Sequence, residues 1–391
     1  MAANDISLTG LTEVLYQARD IVAQEPTGFA QGVVVNGGSE GVSAGGTVIS
    51  MRTTEPTLET SYAPAMTPPD AAEITTSTET LALSLYAGAS IPLKGEQWAQ
   101  LANTVGAEAA LQSLYAQAIR KMVNQIEATI ATVAYQNSSR AVGSAGTTPF
   151  GSNFEVLSDL YRILEDNGTP MTDGMLSCVL NTAAAANLRK RSSLTNVGDA
   201  GTDATLRRGE LLNLFNMSIR SSAGVQSHTK GAGTGYLINN GNVAVGSTTL
   251  TVDGGTVNTT GIKAGDIITV ADDPSTGAYV VKTGLTAASG SVVINQPGLR
   301  GLIVNDKAVT IGNSYAGNVA FHKNAIELAM RPPAQPPGGD AGEEIATLFD
   351  ERTGLSFSAR LYKGYGMSQI KLMSFYGVKA WKPEFIATLM G

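Results

Sequence analysis

Cysteine is nearly missing from this chain: Cys178 is the only one in 391 residues. That excludes an intramolecular disulfide framework and a cysteine-rich zinc site. Its setting, GMLSCVLNT (174–182), is an apolar strand-like run, where a buried structural thiol is expected. Histidine is almost as scarce, with two in the whole sequence. His228 and His322 lie far apart and neither has a second ligand at helical spacing, so no metal site is expected. Charge is thin as well. Lys, Arg, Asp and Glu together make up 15%, against roughly a quarter of an ordinary soluble domain. The net charge of −7 argues against a dedicated nucleic-acid binder held by phosphate neutralisation. No window of about 18 or more residues is predominantly apolar, so no helix spanning a membrane is expected. The N-terminus has no basic region ahead of an apolar core, so no secretory signal is expected.

What is present is a folded composition. Hydrophobic residues reach 43% and glycine numbers 44, in a chain long enough for two or three domains and a sizeable core. Interspersed surface charge is what keeps soluble monomers apart. A chain so poor in it reads either as a Gly/Thr-rich β protein or as a subunit largely covered by its neighbours.

Residues 5–24 carry Leu11, Val14, Leu15, Ala18 and Val22 at helical spacing, and Glu25-Pro26 closes that helix. A glycine-rich stretch follows and leads to TVISMR (47–52), an alternating strand. A second, ETLALSLYAG (79–88), puts Leu81, Leu83 and Leu85 on one face. The Thr- and Pro-rich connection between them makes an extended hairpin with little core of its own, stable only if something packs on it. From about 104 to 137 the stripe Leu111, Tyr115, Ala118, Met122, Ile126, Ile130 and Val133 predicts one rod-like helix, about 50 Å long at 1.5 Å per residue. Residues 153–230 alternate helices and strands, an α/β texture. From about 233 short β-branched strands with glycine turns predict a small β-barrel or sandwich. Mixed α/β texture is expected again after 313, so the β module reads as an insertion through adjacent ends.

No catalytic constellation emerges. GVSAG (41–45) matches a nucleophile-elbow pattern, yet Ser43 has glycine-rich loop on both sides where a strand and a helix are required. GAGTG (231–235) lacks the Lys-Ser/Thr ending of a phosphate loop and reads as a hinge into the β module. Glu343-Glu344 and Asp350-Glu351 read as solvated or intersubunit charges. Arg189-Lys190-Arg191 and Arg207-Arg208 could touch nucleic acid or an acidic partner, with a solvated helix end the plainer reading. Catalytic, cofactor-binding and metal residues are all expected to be none, and no enzyme activity is expected.

The order of segments resembles the tailed-phage major capsid proteins of the Hong Kong 97-type fold, nearest to the coat proteins of Salmonella podoviruses, which carry an insertion in the same place. The residues most similar to that family are NVAFHKNAIELAMRPPAQPPGG (318–339) and FYGVKAWKPEFIATLMG (375–391). TVISMR and ETLALSLYAG with ASIPL resemble the two sides of its E-loop, and 206–231 the segment leaving its A-domain. The resemblance implies an α+β chain divided into an N-terminal arm (1–45), an E-loop (46–90), the spine helix and P-domain (91–150), the first part of an A-domain (151–233), an inserted β domain (234–312) and a return (313–391). It implies a shell of pentamers and hexamers of this chain, a separate scaffolding protein, a portal, and DNA packaged without sequence specificity. The place implied is the virion capsid, assembled in the host cytoplasm. A nanocompartment shell of the same fold and a β-rich phage tail or surface protein are the alternatives. Within the resemblance, Phe321, Ala325 and Leu328 supply an apolar face, with His322 and Lys323 as polar neighbours of that packing.

Overall fold

The computed structural model describes residues 28–38, 40–53, 64, 66, 76–102, 107–195, 213–257, 260–275, 277–349 and 355–391. The helix expected over 5–24, most of 54–75, and Arg207-Arg208 lie outside them. Strand β1 (Val34–Gly37) comes first among the described residues, then β2 (Thr47–Thr53) and β3 (Thr76–Ala82), which among those residues pair with each other alone as a two-stranded ribbon. Strand β4 (Leu85–Lys94) and helix α1 (Gly95–Ala102) lead to helix α2 (Ala107–Gln136). The expected single strand over 79–88 is therefore two strands in different sheets. The chain breaks at Leu83-Ser84, Leu81 and Leu83 are buried, and Leu85 is exposed.

The long helix is present with 30 residues, about 45 Å at 1.5 Å per residue. Its buried face runs Leu111, Tyr115, Ile119, Met122, Ile126, Ile130, Ala134. Ala118 and Val133, assigned to that face from spacing, are only half-buried. The stripe drifts because steps of three and four residues must average 3.6.

After α2 come β5 (Arg140–Gly143), α3 (Glu155–Asp166), β6 (Leu176–Leu180), α4 (Thr182–Arg189), β7 (Ser218–Ser221) and β8 (Ser227–His228). Six short strands follow: β9 (Tyr236–Ile238), β10 (Thr249–Asp253), β11 (Ile267–Val270), β12 (Tyr279–Thr283), β13 (Gly290–Ile294) and β14 (Ala308–Ile311). They pair antiparallel in the order β11-β14-β9-β10-β13-β12, and β12 pairs back to β11. This is a closed barrel. Tyr236, Ile238, Leu250, Val252, Ile268, Tyr279, Val281 and Ile294 fill it as a separate core.

The chain then runs through β15 (Tyr315–His322), β16 (Ile326–Arg331), β17 (Gly342–Phe349), β18 (Ser356–Gly364), β19 (Met367–Ala380) and β20 (Ile386–Met390). Among the described residues after 313 there is no α-helix, so the mixed texture expected there is replaced by strands and two short 3₁₀ turns. Two sheets result. One has the order β1-β16-β19-β18-β17, with β4 along β19; the other extends the barrel's sheet through β5-β20-β15-β6-β7. The second is covered on both faces. Leu176, Cys178, Leu180, Ala320, Ala387 and Leu389 pack with Leu157, Leu160 and Leu164 of α3 and Leu188 of α4. Val179, Val319, Phe321 and Ile386 belong to the core shared with α2. Strands buried on both faces lose alternation and read as continuous apolar runs.

Helix α2 is the common support of both sheets. Its Glu127, 4% exposed, accepts the Phe29 N–H at 3.1 and 3.0 Å and the Ala30 N–H at 3.1 Å. Phe29 in turn stacks on Phe321 at 6.0 Å between ring centroids. Burial pushes the Glu127 carboxyl above its ordinary value, opposed by those N–H donors and by Arg220. The barrel is tied down by Asn295, whose Nδ2 donates to the Gln136 and Ser138 carbonyls at 2.9 and 2.8 Å, and by Arg300 donating to the Asp166 carbonyl at 2.9 Å.

Candidate functional site

The 317–333 segment holding His322 is a strand, one 3₁₀ turn and a second strand, β15 to β16, which carries the chain from one sheet to the other. Phe321, Ala325 and Leu328 are fully buried as an apolar set. His322, a polar neighbour of that set, is itself buried, 2% exposed. Its Nδ1 accepts the Asn324 N–H at 3.2 Å, and its Nε2 lies 2.6 Å from Asp173 Oδ2. That hydrogen bond is the main cause of the lowered Asp173 carboxyl pKa. Both ring nitrogens are thus engaged in fixing the turn.

His228 is placed alike. Its Nε2 sits 2.7 Å from Asp266 Oδ1, and its ring packs in a triangle with those of Tyr135 and Tyr315. Asp266, 1% exposed, also accepts N–H groups of Gly231 at 3.0 Å and Lys263 at 2.7 Å. A buried carboxylate with several donors is a fastener when every acceptor site is used. The GAGTG stretch is accordingly no open hinge. Ala232 donates to Thr260 O at 2.9 Å and Gly233 to Gly261 O at 3.3 Å, strapping it along the barrel. A Cβ at Gly231 would lie 2.0 Å from the Gly261 carbonyl oxygen, so the close approach requires glycine.

The remaining candidates do not come together. Ser43 lies in a loop whose Val42 donates to Pro332 O at 3.0 Å, with β2 following and no helix after it. Cys178 is fully buried, and burial pushes its thiol up to about 12; a thiol that stays protonated at neutral pH is a poor nucleophile. Arg191 donates to the Gly151 carbonyl at 2.7 Å and to the Ser152 carbonyl, tying the end of α4 to the loop ahead of α3. Glu344 lies on the edge strand β17. The Glu343 side chain, Asp350 and Glu351 lie outside the described residues. Among the described residues there is no group of three or more His, Cys, Asp or Glu side chains able to hold a metal ion. No described helix is long and apolar enough to cross a membrane.

The feature that stands apart is the ribbon. From Thr47↔Ala82 to Thr53↔Thr76 its strands pair, among the described residues, only with each other, and Ile49 is 61% exposed. Its root is held firmly. Leu83 N–H donates to Gly46 O at 2.8 Å and Gly45 N–H to Leu83 O at 3.0 Å. Leu81 and Leu83 pack with Ala329, Val42, Val48, Phe375 and Trp381. Lys379 Nζ reaches Glu79 at 3.3 Å and lies over the Trp381 ring, whose Nε1 donates to Glu327 at 2.6 Å. Sequence spacing gave the ribbon but missed its root, because the root is built from residues about 300 positions away that no periodicity links.

No family model matches the chain, and no curated protein matches it. Solved structures of low identity are similar to it over most of their length. One is the capsid structure of cyanophage P-SCSP1u, with a TM-score of 0.48 and 11% identity over 93% of this chain and 88% of that one. A structure from Mycobacterium phage Che8 has a TM-score of 0.45 and 15% identity over 88% and 84%. A virus-like particle from Pyrococcus furiosus has a TM-score of 0.41 and 8% identity over 97% and 98%.

Proposed function

We propose that this chain is the major capsid protein of a tailed double-stranded DNA phage, a non-enzymatic subunit that builds an icosahedral shell from copies of itself. The observation that carries the reading is the ribbon. Two strands paired only with each other are marginal in water, and this pair is rooted on a well-packed body whose charged content is only 15%. The segments at 318–339 and 375–391 that resemble the capsid family are the strands that build the root and the central sheets. In this reading the body follows the Hong Kong 97-type plan, with the barrel as an inserted domain.

The mechanism follows from geometry. Each ribbon lies on the next subunit and buries apolar area worth about 25 cal/mol per Å². The contact is heterologous, and it closes into rings of five and six and then into a shell. Helix α2, which touches both sheets, keeps the subunit rigid while shells switch between two packings. A separate scaffolding protein and a portal complete assembly. Packaged DNA is neutralised mainly by its own counterions, so an acidic subunit is compatible with it. Expressed protein at high concentration is expected to give closed or spiral shells by negative-stain electron microscopy; a chain that stays monomeric and monodisperse there would contradict the reading. Nuclease-protected DNA in particles from infected cells separates a virion from a cellular compartment that encloses an enzyme.

A further inference from the structure

Strand β19 carries a glycine at the point where the ribbon's root crosses it. A Cβ on Gly377 would lie 2.2 Å from the Ala82 carbonyl oxygen and 2.6 Å from Leu81 Cδ2. Real Cβ atoms do not approach that closely, and the nearer atom is backbone, so no rotamer change relieves it. Conformation does not call for glycine here. Gly377 pairs in ordinary register with Ala329, and its backbone is not in the positive-φ region. Space is the only reason left.

The crowding has mechanical consequences because of what surrounds it. The root is pinned by the Leu83–Gly46 and Gly45–Leu83 backbone bonds, by Leu81 and Leu83 in their apolar cluster, and by Lys379 on Glu79. From the crossing at Ala82 the two strands run on to Thr53↔Thr76, pairing among the described residues only with each other, a reach of about 20 Å at 3.3 Å per residue. A ribbon held at one end is a lever. A displacement of an ångström or so at the root grows along the strands toward the far end.

We propose that Gly377 is the fulcrum of the ribbon. The bare backbone at this position lets the root settle onto β19 and so fixes the ribbon's inclination to the body. The further step, that this inclination sets the angle at which one subunit meets the next and hence shell curvature, rests on the capsid reading; the fulcrum itself does not.

The test begins with the free subunit. Cys178 is fully buried, so spin labels at Ile49→Cys and Lys121→Cys, both exposed positions, report one distance between ribbon and helix α2. Because Ile49 pairs with Thr80, close to the crossing, Gly377→Ala is expected to move the mean of that distance by an ångström or more while far-ultraviolet circular dichroism stays unchanged. An unmoved mean in a folded Gly377→Ala subunit overturns the proposal. Lys379→Met covers the case in which Gly377→Ala does not fold. It removes the ion pair, leaves the crossing intact, and is expected to broaden the distribution about an unchanged mean. A shifted mean there would assign the angle to the ion pair and overturn the fulcrum. Shells assembled from Gly377→Ala subunits are expected to change in diameter. Native-sized shells built from subunits with a shifted ribbon would break the link to curvature. Wild-type subunits that form no shells would break the capsid reading and leave the fulcrum standing.

Discussion

The ribbon and the barrel are both antiparallel β excursions from one body, and they solve the problem of strand edges in opposite ways. The barrel closes β12 onto β11 and fills itself with Tyr236, Leu250, Ile268, Tyr279 and their neighbours. Closure removes edges, and the barrel's own core supplies its stability. Among the described residues the ribbon leaves both edges unpaired, and it joins an apolar cluster through Val48, Leu81 and the adjoining Leu83, at its root. One element is complete within the chain. In the proposed shell the other is completed by a partner laid against it.

That contrast fixes where substitutions should hurt. The largest effect is expected inside the barrel. Ile268→Ala empties a fully buried site and should cost about 2–5 kcal/mol, read by chemical denaturation, with hydrogen exchange accelerated in β9–β14 and unchanged in α2. An effect spread evenly over the chain would mean that the barrel is no separate unit. Next is the fastener between barrel and body. Asp266→Ala leaves His228 and the Gly231 and Lys263 N–H groups without their acceptor, a loss of about 3 kcal/mol for a broken buried network. Limited proteolysis should then cut between residues 229 and 235, where the native protein resists.

A smaller, pH-dependent effect belongs to Glu127. Burial raises its folded-state pKa above the ordinary carboxylate value, so the protonated form is favoured by folding. Its contribution is complete below the ordinary pKa and is lost as pH rises through the raised one. Stability of the wild type relative to Glu127→Gln should therefore fall as pH increases from acid toward neutral. A difference that is flat with pH, or that rises, would contradict the burial account. The smallest effect is expected on the ribbon. Ile49→Ala, at a site 61% exposed, should change subunit stability by no more than about 0.5 kcal/mol, and a larger loss would show that the ribbon belongs to the subunit's own core.

The two regions also differ in how far the sequence reveals them. Short β-branched runs between glycines made the barrel strands legible, because turns and alternation are local. The β12–β11 closure was not, since Ile267 and Val280 meet only in the fold. Local pattern misled at Leu81, Leu83 and Leu85, which alternate without interruption across a break between two sheets. Phe321, Ala325 and Leu328 are buried together as the resemblance implied, although they occupy a strand, a turn and a strand. Strands covered on both faces carry no period-two signal. The ribbon's root was invisible because Gly377, Lys379 and Trp381 lie in a segment that reads as one more apolar strand. The two histidines were placed correctly as scarce and separate, but their buried carboxylate partners, Asp173 and Asp266, could be found only in space.

The central claim is that the ribbon is an intersubunit clamp on an otherwise self-sufficient body. The direct measurement replaces residues 51–78 with a short Gly-Ser turn, which removes the outer part of the ribbon and leaves the root, helix α2 and the barrel intact, and follows both thermal melting and assembly by electron microscopy. The account predicts a folded subunit with near-native melting that forms no closed shells, or only fragile ones. Normal, equally heat-resistant particles from the shortened chain would contradict it.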